Sequence, residues 1–202
     1  HMHLGEYKEA RPILEKVVLL NPTGGASHYN LACCACVLDD DLDRVVEWIH
    51  RAFENGFSEV GHLRAAKDLN RLRESRAEEF LDLVQIRLRP EIGWNLINLD
   101  DLYLVNESAF TLRDVDVTIH FTTAGHARGT KSTERIVQID VLPAGEAKKF
   151  AGLVRMTKTG FRELDLRAEG PQGVFEATFA AQEVRSREDP RRPGPGRREE
   201  GK

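Results

Sequence analysis

No run of apolar residues in this 202-residue sequence approaches the roughly 20 that carry a helix across a bilayer, so no membrane-spanning helix is predicted. Nor does any stretch combine the charged, apolar and small-residue regions of a secretory signal. Charge of one sign is lacking as well: 29 Lys and Arg stand against 33 Asp and Glu, a net charge of -4 that is mixed along the chain. No broad field can recruit nucleic acid or an anionic membrane, and neither is expected as a partner. Cysteine is scarce, with three residues gathered at Cys33, Cys34 and Cys36. Pairing such close neighbours on a helix is geometrically awkward, so they read as reduced thiols and the chain as a cytoplasmic protein. His1-Met2 has the look of an expression scar and the helical pattern opens midway, so native residues are expected upstream of Leu4.

What is present suits a folded chain. Hydrophobic residues make up 41% and charged residues 31%, an ordinary globular balance, and the length fits two small domains. Residues 6–20 place Tyr7, Ala10, Ile13, Leu14, Val17 and Val18 at the three-and-four spacing of one apolar helical stripe. With a start near Glu6, Pro12 falls in the second turn, and Asn21-Pro22 ends the helix. Thr23-Gly24-Gly25 reads as a turn, and residues 27–38 as a second helix of small and apolar residues. Residues 39–41, all aspartate, supply N-cap acceptors for a third helix at 42–55. Its inner face is Leu42, Val45, Ile49, Ala52 and Phe53, and Gly56 stands where a left-handed cap is expected.

These residues resemble the tetratricopeptide repeat, a helix pair of about 34 residues. Gly5, Tyr7, Ala10, Leu14, Val17 and Pro22 match the second-helix half of one unit. In the next unit Leu31 and Ala32 match the first helix, and Leu42, Val45, Ile49 and Ala52 the second. Residues 58–84 are similar to the degenerate ending that closes many bacterial arrays. The resemblance implies a non-catalytic, protein-binding or scaffolding surface. It places Asn30, just before Leu31, on a concave groove where an asparagine grips a peptide backbone or carboxylate, with Arg44 and Lys67 as nearby cations. One full unit is fewer than arrays usually need, so the missing contacts are expected from upstream sequence, the second domain or a second copy of the chain. A homo-oligomer is the corresponding alternative.

From Gln85 the period changes to two. Strands are predicted at 96–105, 112–121, 135–142, 147–155, 161–168 and 174–182, with 85–89 a candidate seventh, separated by turn signals such as Pro143-Ala144-Gly145. The expected fold is therefore α+β and multidomain. Antiparallel helix pairs fill 4–84, an antiparallel β-sandwich of immunoglobulin-like size fills 85–185, and a disordered, Pro- and Arg-rich tail fills 186–202. A strand ending in Asn106, the run Leu-x-x-Val-x-Val from Leu112, and the later Leu142-Pro143-x-Gly145-Glu146 corner resemble FxLYD-type and related immunoglobulin-like interaction modules.

Some of these residues also invite sharper chemistries. Consecutive helical cysteines diverge by about 100°, so Cys33, Cys34 and Cys36, even with His28 or His50, are read as packing groups. No metal or cofactor is expected. The aspartates at 39–41 lack the spacing of a calcium loop, and Thr23-Gly24-Gly25 lacks the Gly-Lys-Ser/Thr of a phosphate loop. Asn106-Glu107-Ser108 is a formal glycosylation sequon. His120 and His126, with Asp116 near His120, are the available bases for a hydrolase, and a carbohydrate-binding sandwich is the related alternative. A pocket joining His120 to a carboxylate would favour them, but no nucleophile pairs with either histidine and no catalysis is expected. Trp48 and Trp94 are assigned to packing.

Overall fold

In the computed structural model the described residues are 4–38, 41–93, 100–124, 130–154 and 161–187. The first apolar stripe forms α1 (Leu4–Leu20). It starts two residues earlier than its spacing predicts, which moves Pro12 about half a turn deeper, where its ring deletes the hydrogen bond residue 12 would give to Lys8. α2 (Gly25–Val37) is the central helix, buried from His28 to Cys36 at every residue but Asn30. Its alanines and cysteines let α1 and α3 approach from two sides. At Gly25 a Cβ would lie 2.7 Å from both the Asn55 carbonyl and the Phe57 nitrogen, so only glycine lets α2 start against the end of α3.

α3 (Leu42–Glu54) is capped as its sequence predicts. The Asp41 carboxylate accepts from the Asp43 N–H at 3.1 Å. At the other end Gly56 takes a φ of 85°. Its N–H donates to the Phe53 carbonyl and that of Phe57 to Ala52, at 3.0 and 2.9 Å, the double bond of a Schellman stop. Short helices follow: α4 (Val60–Ala65), a 3-10 turn (Lys67–Leu69), α5 (Asn70–Ser75) and α6 (Ala77–Val84). They bury Val60, Leu63, Leu69, Leu72, Phe80, Leu83 and Val84. Among the described residues no helix is long and apolar enough to cross a membrane.

The strands are β1 (Leu88–Gly93), β2 (Asp100–Asn106), β3 (Leu112–Ala124), β4 (Thr130–Leu142), β5 (Ala147–Val154), β6 (Phe161–Gly170), β7 (Gly173–Ala180) and β8 (Arg185–Arg187). They make two four-stranded sheets, β5-β2-β1-β8 and β4-β3-β6-β7. All pairings are antiparallel except β1 with β8, which is parallel. The candidate strand at 85–89 lies three residues further on, because Gln85 and Ile86 are used in leaving α6. The pairing of β8 extends regular structure into the stretch predicted to be tail. Residues 188–202, Trp94, His126, and Asp39 and Asp40 lie outside the described residues.

Alternation breaks near the start of β3. Arg113 and Asp114 both face outward between buried Leu112 and Val115, and Asp140 and Val141 do so opposite them. Asp114 absorbs the extra outward step with a left-handed φ of 50°. Both sheets and the helices share one hydrophobic core. Phe53 of α3 meets Phe110, between β2 and β3, with ring centroids 5.5 Å apart. Beside them Arg64 of α4 donates to the Val84 carbonyl at 2.7 Å and to the Gln172 carbonyl, in the β6–β7 turn, at 3.0 Å.

Candidate functional site

A groove of about 380 Å³ opens between α1, α2 and the segment from α4 to the 3-10 turn. α1 contributes an apolar wall of Ala10, Ile13 and Leu14. α2 supplies Tyr29, Asn30, Cys33 and Cys34, which share one helical face, and the far side carries His62 and Asp68. The Tyr29 ring forms part of the floor, stacked on Phe57 at 4.6 Å with the His62 edge 5.6 Å away.

Hydrogen bonding and burial fix the protonation of this floor. Tyr7 is buried and its hydroxyl donates to the Asp68 carboxylate. Burial first, and that bond second, push its pKa from 10.0 to about 12. The Tyr29 hydroxyl donates to the Cys33 sulfur one turn later and is pushed up as well, chiefly by burial. Burial raises the Cys33 thiol to about 12 in spite of that bond, and the Cys34 thiol rises through burial and the nearby Asp68 charge. A thiol held protonated is a poor nucleophile and a poor metal ligand. Asp68 is thus the formal charge at the groove, set among neutral hydroxyl and thiol groups.

Asn30 is exposed on α2 and lines the groove. Among the described residues its side chain makes no hydrogen bond, so its donors and acceptor face outward. Arg44 is exposed on α3, and Lys67 is exposed on the 3-10 turn beside Asp68; neither lines the groove. The structure therefore brings Asn30 together with Tyr7, His62 and Asp68 instead. Tyr7 was legible only as a packing residue, and nothing in the local sequence pairs residues 62 and 68 with α2.

The other candidates lie away from the groove. The His28 ring nitrogen Nδ1 lies 3.0 Å from the Gly24 carbonyl, and the ring packs 5.7 Å from Trp48. His50 is exposed on α3. Among the described residues there is no group of three or more His, Cys, Asp or Glu side chains placed to hold a metal ion. His120 does meet a carboxylate, Glu134, at 2.9 Å. The two are cross-strand neighbours, both well exposed on the outer face of the β3–β4 pair. Asp116 lies on the same face, in a shallow polar depression with Asp114, Thr118, Arg167 and Glu169.

Asn106, the sequon residue, is fully buried. Its amide donates to the Phe110 and Leu142 carbonyls, both at 2.9 Å, and its oxygen accepts from the Ser108 N–H at 2.9 Å. It ties the β2–β3 turn to the β4–β5 corner, and a sugar could not reach it in the folded chain. Comparison with models of known protein families gives no match, and comparison with curated proteins gives none.

Proposed function

We propose that this chain is a non-catalytic protein-interaction module of tetratricopeptide-like helices joined to an immunoglobulin-like sandwich, and that the α1–α2 groove is its recognition surface. The observation that carries the reading is the groove itself: an apolar wall on α1 faces a polar edge of Asn30, His62 and Asp68, the mixture that orients a peptide while burying an apolar anchor. The tetratricopeptide reading is supported by the repeat of α1's pattern in α3, where Ala10, Leu14 and Val17 return 35 positions later as Val45, Ile49 and Ala52. The immunoglobulin-like reading is supported by the strand order, in which the chain changes sheet between β2 and β3 and again on either side of β5.

The test is selection of peptides from a random display library against the chain, followed by fluorescence anisotropy. Asn30→Ala and His62→Ala, both at exposed positions, are expected to weaken the selected peptides about tenfold, the loss of roughly one hydrogen bond to each partner. Arg135→Ala, at an exposed position on β4, should leave affinity unchanged. Peptides that ignore Asn30 and His62 would remove the groove as the recognition surface.

A further inference from the structure

Several carboxylates on the open surface of the helices have arginine partners: Glu15 with Arg11, Asp43 with Arg76, Glu47 with Arg51 and Asp82 with Arg87. Asp68, half-buried at the groove, makes no ion pair among the described residues. Its carboxylate accepts from the Tyr7 hydroxyl of α1, and its charge also acts on Tyr29, Cys33 and Cys34 of α2. All of these groups are neutral. Of the cations nearby, Arg11 pairs with Glu15 at 3.1 Å, and Lys67 is exposed outside the groove. No lysine or arginine is among the groove's lining residues. An anion held half out of water without a counter-charge is a costly arrangement, and a ligand's cation relieves it more than it would relieve a carboxylate on open surface.

We propose, building on the groove reading above, that the groove takes the side chain of a lysine from a peptide, with the ammonium at Asp68 and the methylene stem along Ala10, Ile13 and Leu14. Lysine carries both features that the groove offers to meet, an apolar stem and a terminal charge. A point-like ammonium also shares the carboxylate with the Tyr7 hydroxyl more readily than a guanidinium, whose paired donors engage both oxygens. Its remaining donors have the Asn30 amide oxygen as an acceptor on the same groove. The size agrees: about 380 Å³ lies at the small end of ligand cavities, which run from roughly 300 to 1,000 Å³, and so suits one anchoring side chain.

Two probes of similar shape test the charge. n-Hexylammonium has a lysine-like stem and head, and n-hexanol has the stem with a neutral head. In amide correlation spectra of the full chain, the ammonium is expected to shift the signals of Leu14, Asn30 and Asp68 and to bind about tenfold tighter than the alcohol. Asp68→Asn keeps an oxygen for the Tyr7 hydroxyl and removes the charge; with its fold checked by circular dichroism, it should erase that difference. Glu74→Gln, at an exposed position on α5, should not. Peptides selected from the display library are expected to contain a lysine whose acetylation weakens binding about tenfold to the native chain and leaves binding to Asp68→Asn nearly unchanged. Equal binding of the two probes, no binding of either, or indifference to Asp68→Asn overturns the proposal. So do selected peptides that tolerate acetylation of every lysine; where the ammonium still binds through Asp68, the groove's ligand is then a free amine. If the selected peptides nevertheless lose affinity with Asn30→Ala and His62→Ala, the groove reading stands and the lysine alone is removed.

Discussion

Asn106 shows how a residue that reads as a modification signal becomes a structural tie. Its local pattern, Asn-Glu-Ser, is shared by acceptor sites on surface loops. Its placement between the β2–β3 turn and the β4–β5 corner was not legible, because the Leu142 carbonyl it bonds lies 36 residues away. Asn106→Ala would strand two buried carbonyls and one N–H, each costing about 1–3 kcal/mol; a loss of at least about 3 kcal/mol is expected in urea unfolding, and a loss under about 1 kcal/mol would contradict the role. Tyr7 makes a second residue-level prediction. Its folded pKa of about 12 lies above its ordinary 10.0, so the stabilisation is complete below pH 10 and is lost as pH rises through 12. Cys33, raised from 9.0 to about 12, acts in the same direction from pH 9 upward. Together they predict a steep fall in the stability of the helical part between pH 9 and 12, followed at 222 nm. Tyr7→Phe should cost about 1 kcal/mol at pH 8 and flatten part of the alkaline fall.

Among the elements, α3 was the most legible from sequence. Its capping aspartate, its stripe and its terminal glycine all act locally, and each is found as predicted. α1 differed by half a turn at its start because helix ends depend on what they pack against, and the spacing sets only the face. Pro12, now in the middle of α1 and exposed, offers a direct measurement. Pro12→Ala restores a backbone donor and removes a ring clash, and it should raise stability by roughly 1–3 kcal/mol. No gain would mean that α1 contributes little to the cooperative unit. In β3 the break in alternation was already present as Leu-x-x-Val, two residues where a flat strand has one. What the pattern left open was which residue would take the left-handed conformation; Asp114 does, a role aspartate tolerates better than most.

The whole molecule is held together where helices meet sheets. Phe53 against Phe110, and the guanidinium of Arg64 spanning the Val84 and Gln172 carbonyls, join segments more than 50 and 100 residues apart. Arg64→Ala should leave both carbonyls short of a donor and cost on the order of 2 kcal/mol. It should also separate two signals that the shared core is expected to make coincide in the native protein, helix loss at 222 nm and hydrogen exchange of the β3 amides. Coincident transitions in the variant would show that the Phe53–Phe110 contact suffices for coupling.

The sequence by itself determined the order of α1 to α3 and of β2 to β7, their inward faces and the caps of α3, since all depend on periods of 3.6 or 2 and on neighbours within four residues. Only the tertiary structure decided which residues share the groove, that Asp68 rather than Arg44 or Lys67 sets its charge, and that one face of α1 stays open. Those depend on the packing of distant segments, which residue spacing along a chain does not encode locally.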